Sequence, residues 1–253
     1  MNILFTVCGR AGSKGLKNKN VKQLLGIPLV YYTLASIKRY CEMHPEDRIK
    51  IALNTDSVAL IELVQKQKIV PVITIHRNDD LAGDSVAKVQ VIKDTFMQIG
   101  DNKMDVIIDL DITSPIRRAT DIENIIKEYQ KGIYDLVVSV VDSRRNPYFN
   151  MVERKENGFY QKICNSPFTA RQQAPETYEL NASIYAYSPR FLECDINKTI
   201  LEYKCGISVM NDYLVLDIDS EEDYRLLSFL FNYFCEEDYE IKKVYDISCS
   251  MND

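Results

Sequence analysis

Between Cys8 and Asn20 the chain reads Cys8-Gly-Arg-Ala-Gly-Ser-Lys-Gly-Leu-Lys-Asn-Lys-Asn20, three glycines among four cations. Glycine lets a backbone approach a ligand closely. Peptide N–H groups flanked by Arg10, Lys14, Lys17 and Lys19 suit the oxygens of a polyphosphate. The spacing fits neither G-x-G-x-x-G nor the P-loop pattern, which disfavours a dinucleotide oxidoreductase and a P-loop ATPase. On its own the run also reads as a solvated basic turn. Two Asp-x-Asp pairs end apolar runs, Asp109/Asp111 and Asp217/Asp219. Strand periodicity puts both carboxylates of a pair on one face, and Mg²⁺ is typically held by one or two carboxylates plus substrate phosphates. Spacing does not choose between the pairs, and exposed acids with helix-capping duty are the alternative. Only His44 and His76 occur, so His-based triads and metal sites are poorly supplied, and the chemistry falls to carboxylates, Arg and Lys.

Four separated motifs, in order, resemble those of the acylneuraminate (CMP-sialic acid) cytidylyltransferase family. Arg10, Ser13-Lys14-Gly15 and Lys19-Asn20 look like its opening signature, the loop that wraps the CTP phosphates. The resemblance implies CTP contacts from Arg10, Gly12, Ser13, Lys14, Lys19 and Asn20. Kdo cytidylyltransferases tend to carry Ser-Thr-Arg in place of Ser-Lys-Gly. His76-Arg-Asn-Asp-Asp-Leu-Ala-Gly-Asp84-Ser85 looks like the stretch that contacts base and ribose, which carries over to Arg77, Asp84 and Ser85. By themselves Asp84 and Ser85 read better as caps of the helix that follows. Leu110-Asp-Ile-Thr-Ser-Pro-Ile-Arg117 resembles Leu-Gln-Pro-Thr-Ser-Pro-Leu-Arg and implies sugar contacts from Asp111, Thr113 and Ser114. Asp111 stands where Gln is usual, and an ionised Asp accepts but does not donate hydrogen bonds. Leu216-Asp-Ile-Asp-Ser-Glu-Glu-Asp223 resembles the metal motif, so Asp217 and Asp219 are the expected Mg²⁺ ligands.

The stretches around Arg145, Arg171 and Tyr185 resemble a subgroup that makes CMP-legionaminic acid, and these three are added as sugar-binding candidates. The Arg residues read equally well as dimer or surface ion pairs. The resemblance implies a homodimer serving surface-glycan synthesis, while seven unpatterned cysteines and an apolar start, Ile3 to Cys8, too short for a signal peptide predict a cytoplasmic protein. Its expected reaction joins CMP from CTP to a nine-carbon 2-keto-3-deoxy sugar acid, legionaminic or N-acetylneuraminic. Arg10, Lys19, Asp217 and Asp219 are its catalytic residues. The competing readings are a Kdo or other sugar nucleotidyltransferase, and a non-catalytic nucleotide-sugar binding protein.

These residues need a scaffold, and the hydropathy pattern supplies one. Apolar runs at Ile3–Val7, Ile49–Leu53, Val70–Ile75, Val106–Leu110 and Leu136–Val141 alternate with helical patterns at Leu29–Ile37, Val58–Gln67, Ser85–Ile99 and Asp121–Tyr129. Such alternation predicts an α/β fold with a doubly wound, mainly parallel sheet, its ligands beyond the carboxyl ends of the strands. The rhythm breaks over residues 143–180, read as an inserted arm and probable dimerisation element within one 1–253 nucleotidyltransferase domain. It resumes with strands Ala182–Tyr187 and Tyr213–Ile218 and a closing helix Ser220–Phe234. The chain has 253 residues, enough for a sizeable core. Its net charge of −6 lacks the basic excess of a nucleic-acid binder. Seven Cys without C-x-x-C spacing support neither a disulfide framework nor a zinc site. No apolar run is long enough to span a membrane.

Overall fold

Asn2–Cys8 is apolar at nearly every position, and in the computed structural model it is β1, buried on both faces. Residues 1–12, 16, 18–83, 85–211 and 218–252 are described. After β1 come a small hairpin, β2 (Gln23–Leu24) with β3 (Ile27–Pro28), and α1 (Leu29–Met43). Next follow β4 (Arg48–Thr55), α2 (Val58–Lys66), β5 (Ile73–His76), α3 (Lys88–Ile99), β6 (Val106–Leu110), α4 (Ala119–Tyr129) and β7 (Leu136–Asp142). Then come β8 (Val152–Arg154), β9 (Tyr160–Lys162), β10 (Tyr178–Tyr187), α5 (Pro189–Glu193), β11 (Cys205–Val209), α6 (Glu221–Glu237) and α7 (Tyr239–Asn252).

Among the described residues the main sheet has the order β11-β7-β10-β6-β1-β4-β5. β1 pairs in parallel with both β4 and β6, and only β10 runs against its neighbours. The chain winds outward from β1 through β4 to β5, then crosses back to β6. The switch point therefore lies between β1 and β6, where open α/β sheets bind ligands. Side-chain alternation divides the core. Ile3, Phe5, Val7, Val106 and Ile108 join the cluster that includes residues of α1, α2, α4, α6 and α7. Leu4 and Ile107 join the cluster that includes α3 and α5.

Several expected boundaries shift. Ser57 does cap α2, accepting from the Leu60 amide, and Ser220 with Asp223 forms the expected capping box of α6. The third helix, expected from Ser85, begins at Lys88 behind Ala87, so Ser85 caps nothing. The third strand starts at Ile73 rather than Val70, because Pro71 has no N–H to give a ladder. The expected closing helix is followed by another, α7, whose Ile241, Val244 and Met251 are buried. β11 was not expected from the sequence. The expected strand Tyr213–Ile218 lies, but for Ile218, outside the described residues. The 143–180 excursion carries β8 and β9 as a separate two-stranded hairpin, with Phe159 and Tyr160 exposed at its turn. Among the described residues no helix is long and apolar enough to cross a membrane.

Candidate active site

β1 ends at Cys8, and the chain turns at once. The Gly9 amide donates to the Asn54 carbonyl at 3.2 Å. A Cβ on Gly9 would stand 2.6 Å from Leu60 Cδ2 and 2.9 Å from Ile112 Cδ1, so only glycine passes between α2 and the β6 end. Gly12 has φ +74 with nothing near its missing Cβ, a turn glycine. The Ala11 amide donates to Asp56 Oδ1 at 2.7 Å. Asn20 Nδ2 donates to the Arg10 carbonyl at 3.0 Å, which ties the loop back on itself. Arg10, Lys19 and Asn20 line a cavity of ≈ 280 Å³ with Cys8, Arg77, Lys88, Asp111 and Thr113. Ser13, Lys14, Asp84 and Asp217 lie outside the described residues.

Arg77 follows β5 and is 5% exposed. Its Nε and Nη2 donate to Asn54 Oδ1 and the Asn54 carbonyl, both at 3.0 Å. That fork fixes the guanidinium in one pose against the cavity. Ser85 is exposed and does not line the cavity.

The floor is built on β6. Asp109 is fully buried and accepts from Thr6 Oγ1 at 2.8 Å. Lys88 Nζ lies 2.7 Å from Asp109 Oδ2, an ion pair by distance although not aligned as a hydrogen bond, and 2.7 Å from Asp111 Oδ2. Asp111 Oδ1 accepts from the Thr113 amide at 2.9 Å and from Thr113 Oγ1 at 2.7 Å. Burial by itself would lower the Lys88 pKa, yet the Asp109 and Asp111 charges hold it well above the usual lysine range. Burial would likewise raise Asp111, and Lys88 with the two Thr113 bonds outweighs it and holds the carboxyl below the usual range. Burial, then the Asp109 charge, pushes the Cys8 thiol well up, so Cys8 is no ready thiolate nucleophile. Thus the Asp109/Asp111 pair, equal in spacing to Asp217/Asp219, already has an internal cation.

A bulge in β10 supports this floor. Register slips between Leu180 and Tyr185, and Ala182 takes φ +51. Ser139 Oγ donates to Asn181 Oδ1 at 2.5 Å and accepts from the Ile184 amide at 2.8 Å. The displaced Ser183 carbonyl then accepts from the Asp111 amide at 3.1 Å and from Arg117 Nη2 at 2.8 Å. Arg117, 1% exposed, also reaches the Asp111 carbonyl at 2.9 Å.

Asp219 comes to the rim from the far end of the chain. The Ile218 amide donates to the Thr113 carbonyl at 3.0 Å, and Asp219 Oδ1 meets Lys19 Nζ at 2.8 Å. Beside them Lys22 Nζ meets Glu221 Oε1 at 2.7 Å. Asp219 is 77% exposed, a carboxylate open to a hard cation, so it fits a Mg²⁺ ligand.

The remaining sugar candidates divide. Asp111 and Thr113 line the cavity, and Ser114 is buried behind it. Tyr185 pairs with Asp109 in register and stacks on Tyr187, with Lys88 Nζ 6.0 Å from its ring. Arg171 donates to the Ser143 carbonyl at 3.0 Å and lines a separate cavity with Asn146 and Tyr178. Arg145 lies by Pro147, Leu180 and Ile207. Within one chain neither Arg lines the cavity that holds Arg10. Sequence reasoning missed Lys88 and Arg117; a lysine opening a helix against its dipole was the available signal for the first.

A doubly wound sheet with a glycine-and-cation loop at its switch point, a clamped Arg77 and a facing carboxylate defines an α/β nucleotidyltransferase. More narrowly, the chain belongs to the cytidylyltransferase family, whose model matches residues 4–213. It is 32% identical over 231 residues to the post-translational flagellin modification protein B of Campylobacter coli, covering 90% of this chain and 94% of that one. It is 31% identical, with the same coverage, to the CMP-N,N'-diacetyllegionaminic acid synthase of Campylobacter jejuni subsp. jejuni. The solved CMP:2-keto-3-deoxy-manno-octonic acid synthetase, complexed with CTP, superposes with TM-score 0.66 at 12% identity, covering 92% of this chain and 99% of that one; this likeness shows the fold alone.

Proposed function

We propose that this chain makes a CMP-nonulosonate and pyrophosphate from CTP and a free nine-carbon sugar acid, of the legionaminic type before N-acetylneuraminic. The observation that carries the reading is the meeting of Lys19 and Asp219 at 2.8 Å across 200 residues of sequence. A phosphate-seeking cation and a metal-seeking carboxylate converge on one edge of the nucleotide cavity. Similarity to the legionaminic acid synthase supports the choice of sugar.

In this reading the anomeric hydroxyl of the sugar gives up its proton, in the end to water, as its oxygen forms a bond to the α-phosphorus of CTP. The bond from that phosphorus to the oxygen bridging to the β-phosphate breaks, and pyrophosphate leaves. Arg10 and Lys19 hold the phosphates and take up the charge that grows on the leaving group. Asn20 keeps the loop folded around them, and Arg77 orients the nucleoside end. Asp219, with Asp217, is the proposed Mg²⁺ holder. Mg²⁺ there would neutralise phosphate charge and help align the in-line attack.

The proposal extends to assembly and place. Val152, Phe159, Tyr160, Leu180 and Val209 are exposed apolar residues on or near the arm, an area of the kind a homodimer covers. In such a dimer Arg145 and Arg171 are proposed to serve the partner's sugar site. CTP is a cytoplasmic metabolite, so the reaction is proposed for the cytoplasm.

The test is pyrophosphate release from CTP and Mg²⁺ with legionaminic, N-acetylneuraminic and Kdo acceptors in parallel. Release with a nine-carbon acid is the expected result. Release with Kdo alone, or CTP binding without turnover of any acid, would overturn the reading.

A further inference from the structure

Lys88 has no role in the reaction as written above. It opens α3, where the helix dipole disfavours a cation, and two carboxylates hold it there at 2.7 Å each. An ammonium has three N–H donors, and among the described residues Asp109 and Asp111 are its ion-pair partners. Lys88 lines the same cavity as Arg10 and Arg77, and about a third of its side chain stays accessible. Asp111, in contrast, has Oδ2 on Lys88 and Oδ1 on Thr113. Ionised, it has nothing to donate. Lys88 therefore keeps N–H donor capacity at the floor beyond its contacts with the two carboxylates. Lys88 already faces two carboxylates at 2.7 Å each, whose charge opposes a further anion at this ammonium and leaves room for a neutral oxygen.

We propose that Lys88 is a substrate-binding residue that donates a hydrogen bond from the cavity floor to a neutral carbonyl or hydroxyl oxygen of a substrate. Phosphate and carboxylate groups bind instead toward Arg10 and Lys19. The oxygen belongs either to the nucleoside half of CTP or to the acceptor sugar. The inference rests on the reaction proposed above for its second substrate, but not for CTP.

The test compares Lys88→Met and Lys88→Arg with the wild type. CTP affinity is read by calorimetry, and KM is measured for whichever acid the wild type uses. In Lys88→Met one of the two constants worsens by about tenfold or more, the loss of a charged hydrogen bond, while the other stays within about twofold. A selective loss of CTP affinity assigns the oxygen to the nucleoside, and a selective rise in sugar KM assigns it to the acceptor. Lys88→Arg, which keeps charge and donor, recovers most of the loss. Should Lys88→Met not fold, Lys88→Met/Asp109→Asn, read against Asp109→Asn alone, removes one of the two stranded charges and carries the same comparison. A folded variant with both constants unchanged, or with equal losses in both, overturns the inference. If the wild type uses none of the acids, the acceptor reading fails separately; the CTP arm then decides, and unchanged CTP affinity overturns the inference.

Discussion

At the floor of the cavity Lys88 lies between Asp109, fully buried, and Asp111, whose carboxylate also takes two bonds from Thr113. At the rim Lys19 pairs with an Asp219 that is 77% exposed, and Lys22 with a Glu221 that is 60% exposed. The two regions use the same ion types at nearly the same distances. Their environments differ, and that decides what each is good for. Buried charges shielded from water hold one geometry, and removing a partner is costly. Exposed pairs contribute little and exchange partners readily. A floor of the first kind presents a fixed surface to a substrate. A rim of the second kind lets Lys19 turn to phosphate and Asp219 to a cation without a large loss.

Substitutions can break this contrast, the largest effect first. Asp109→Ala strands Lys88 beside one remaining carboxylate and leaves Thr6 without its acceptor; a loss of about 3 kcal/mol in urea unfolding is expected. Arg117→Met removes the guanidinium that joins the Ser183 and Asp111 carbonyls. It should cost about 2 kcal/mol and lower kcat/KM through a displaced Asp111. Asp219→Asn should change stability by less than about 1 kcal/mol while turnover falls about a hundredfold; near-normal turnover would remove Asp219 from the metal assignment. Lys22→Ala should be smallest, within about 0.5 kcal/mol and vanishing in high salt.

The pH dependence sharpens the same comparison. Asp111 is held below its ordinary value, so its contribution is full above the unfolded pKa and is lost only as pH falls through the folded one. Lys88 is held above its ordinary value, so its contribution is full below the unfolded pKa and is lost only as pH rises through the folded one. The floor therefore stays paired from about pH 5 to about pH 10. The stability difference between wild type and Asp111→Asn should be flat across that window and shrink below about pH 4. An inflection near neutrality would mean that the floor is not paired as described.

The parts of this site that could be read from sequence are those that obey local rules. β1 and β6 are short, nearly continuous apolar runs, as buried parallel strands must be. Ser57 and Ser220 cap helices because a hydroxyl two or three residues before a free amide does so in any context. The loop from Gly9 to Asn20 declares itself by glycine and charge. What stayed hidden depends on contacts distant in sequence. Lys88 looks like one more solvated lysine until β6 brings Asp109 and Asp111 beside it. β11 is short and carries Gly206, a poor strand former, because the Tyr134 ring packs where a Cβ would stand, 2.8 Å away. The β10 bulge, with Ala182 at positive φ, leaves no mark that its residue types reveal.

The reversed strand also has a consequence for how the chain is made. β6 and β7 emerge from the ribosome well before β10, yet β10 lies between them. Until residues 178–187 arrive, each presents an open apolar edge, a template for pairing with another chain. Sheet completion must wait for a late, non-local insertion, the kind of step that slows folding. A chain interrupted anywhere between Asp142 and Tyr178 would therefore expose the open β6 edge of a partial sheet and a β7 with no neighbour on either side, and quality control during synthesis has that interval to guard.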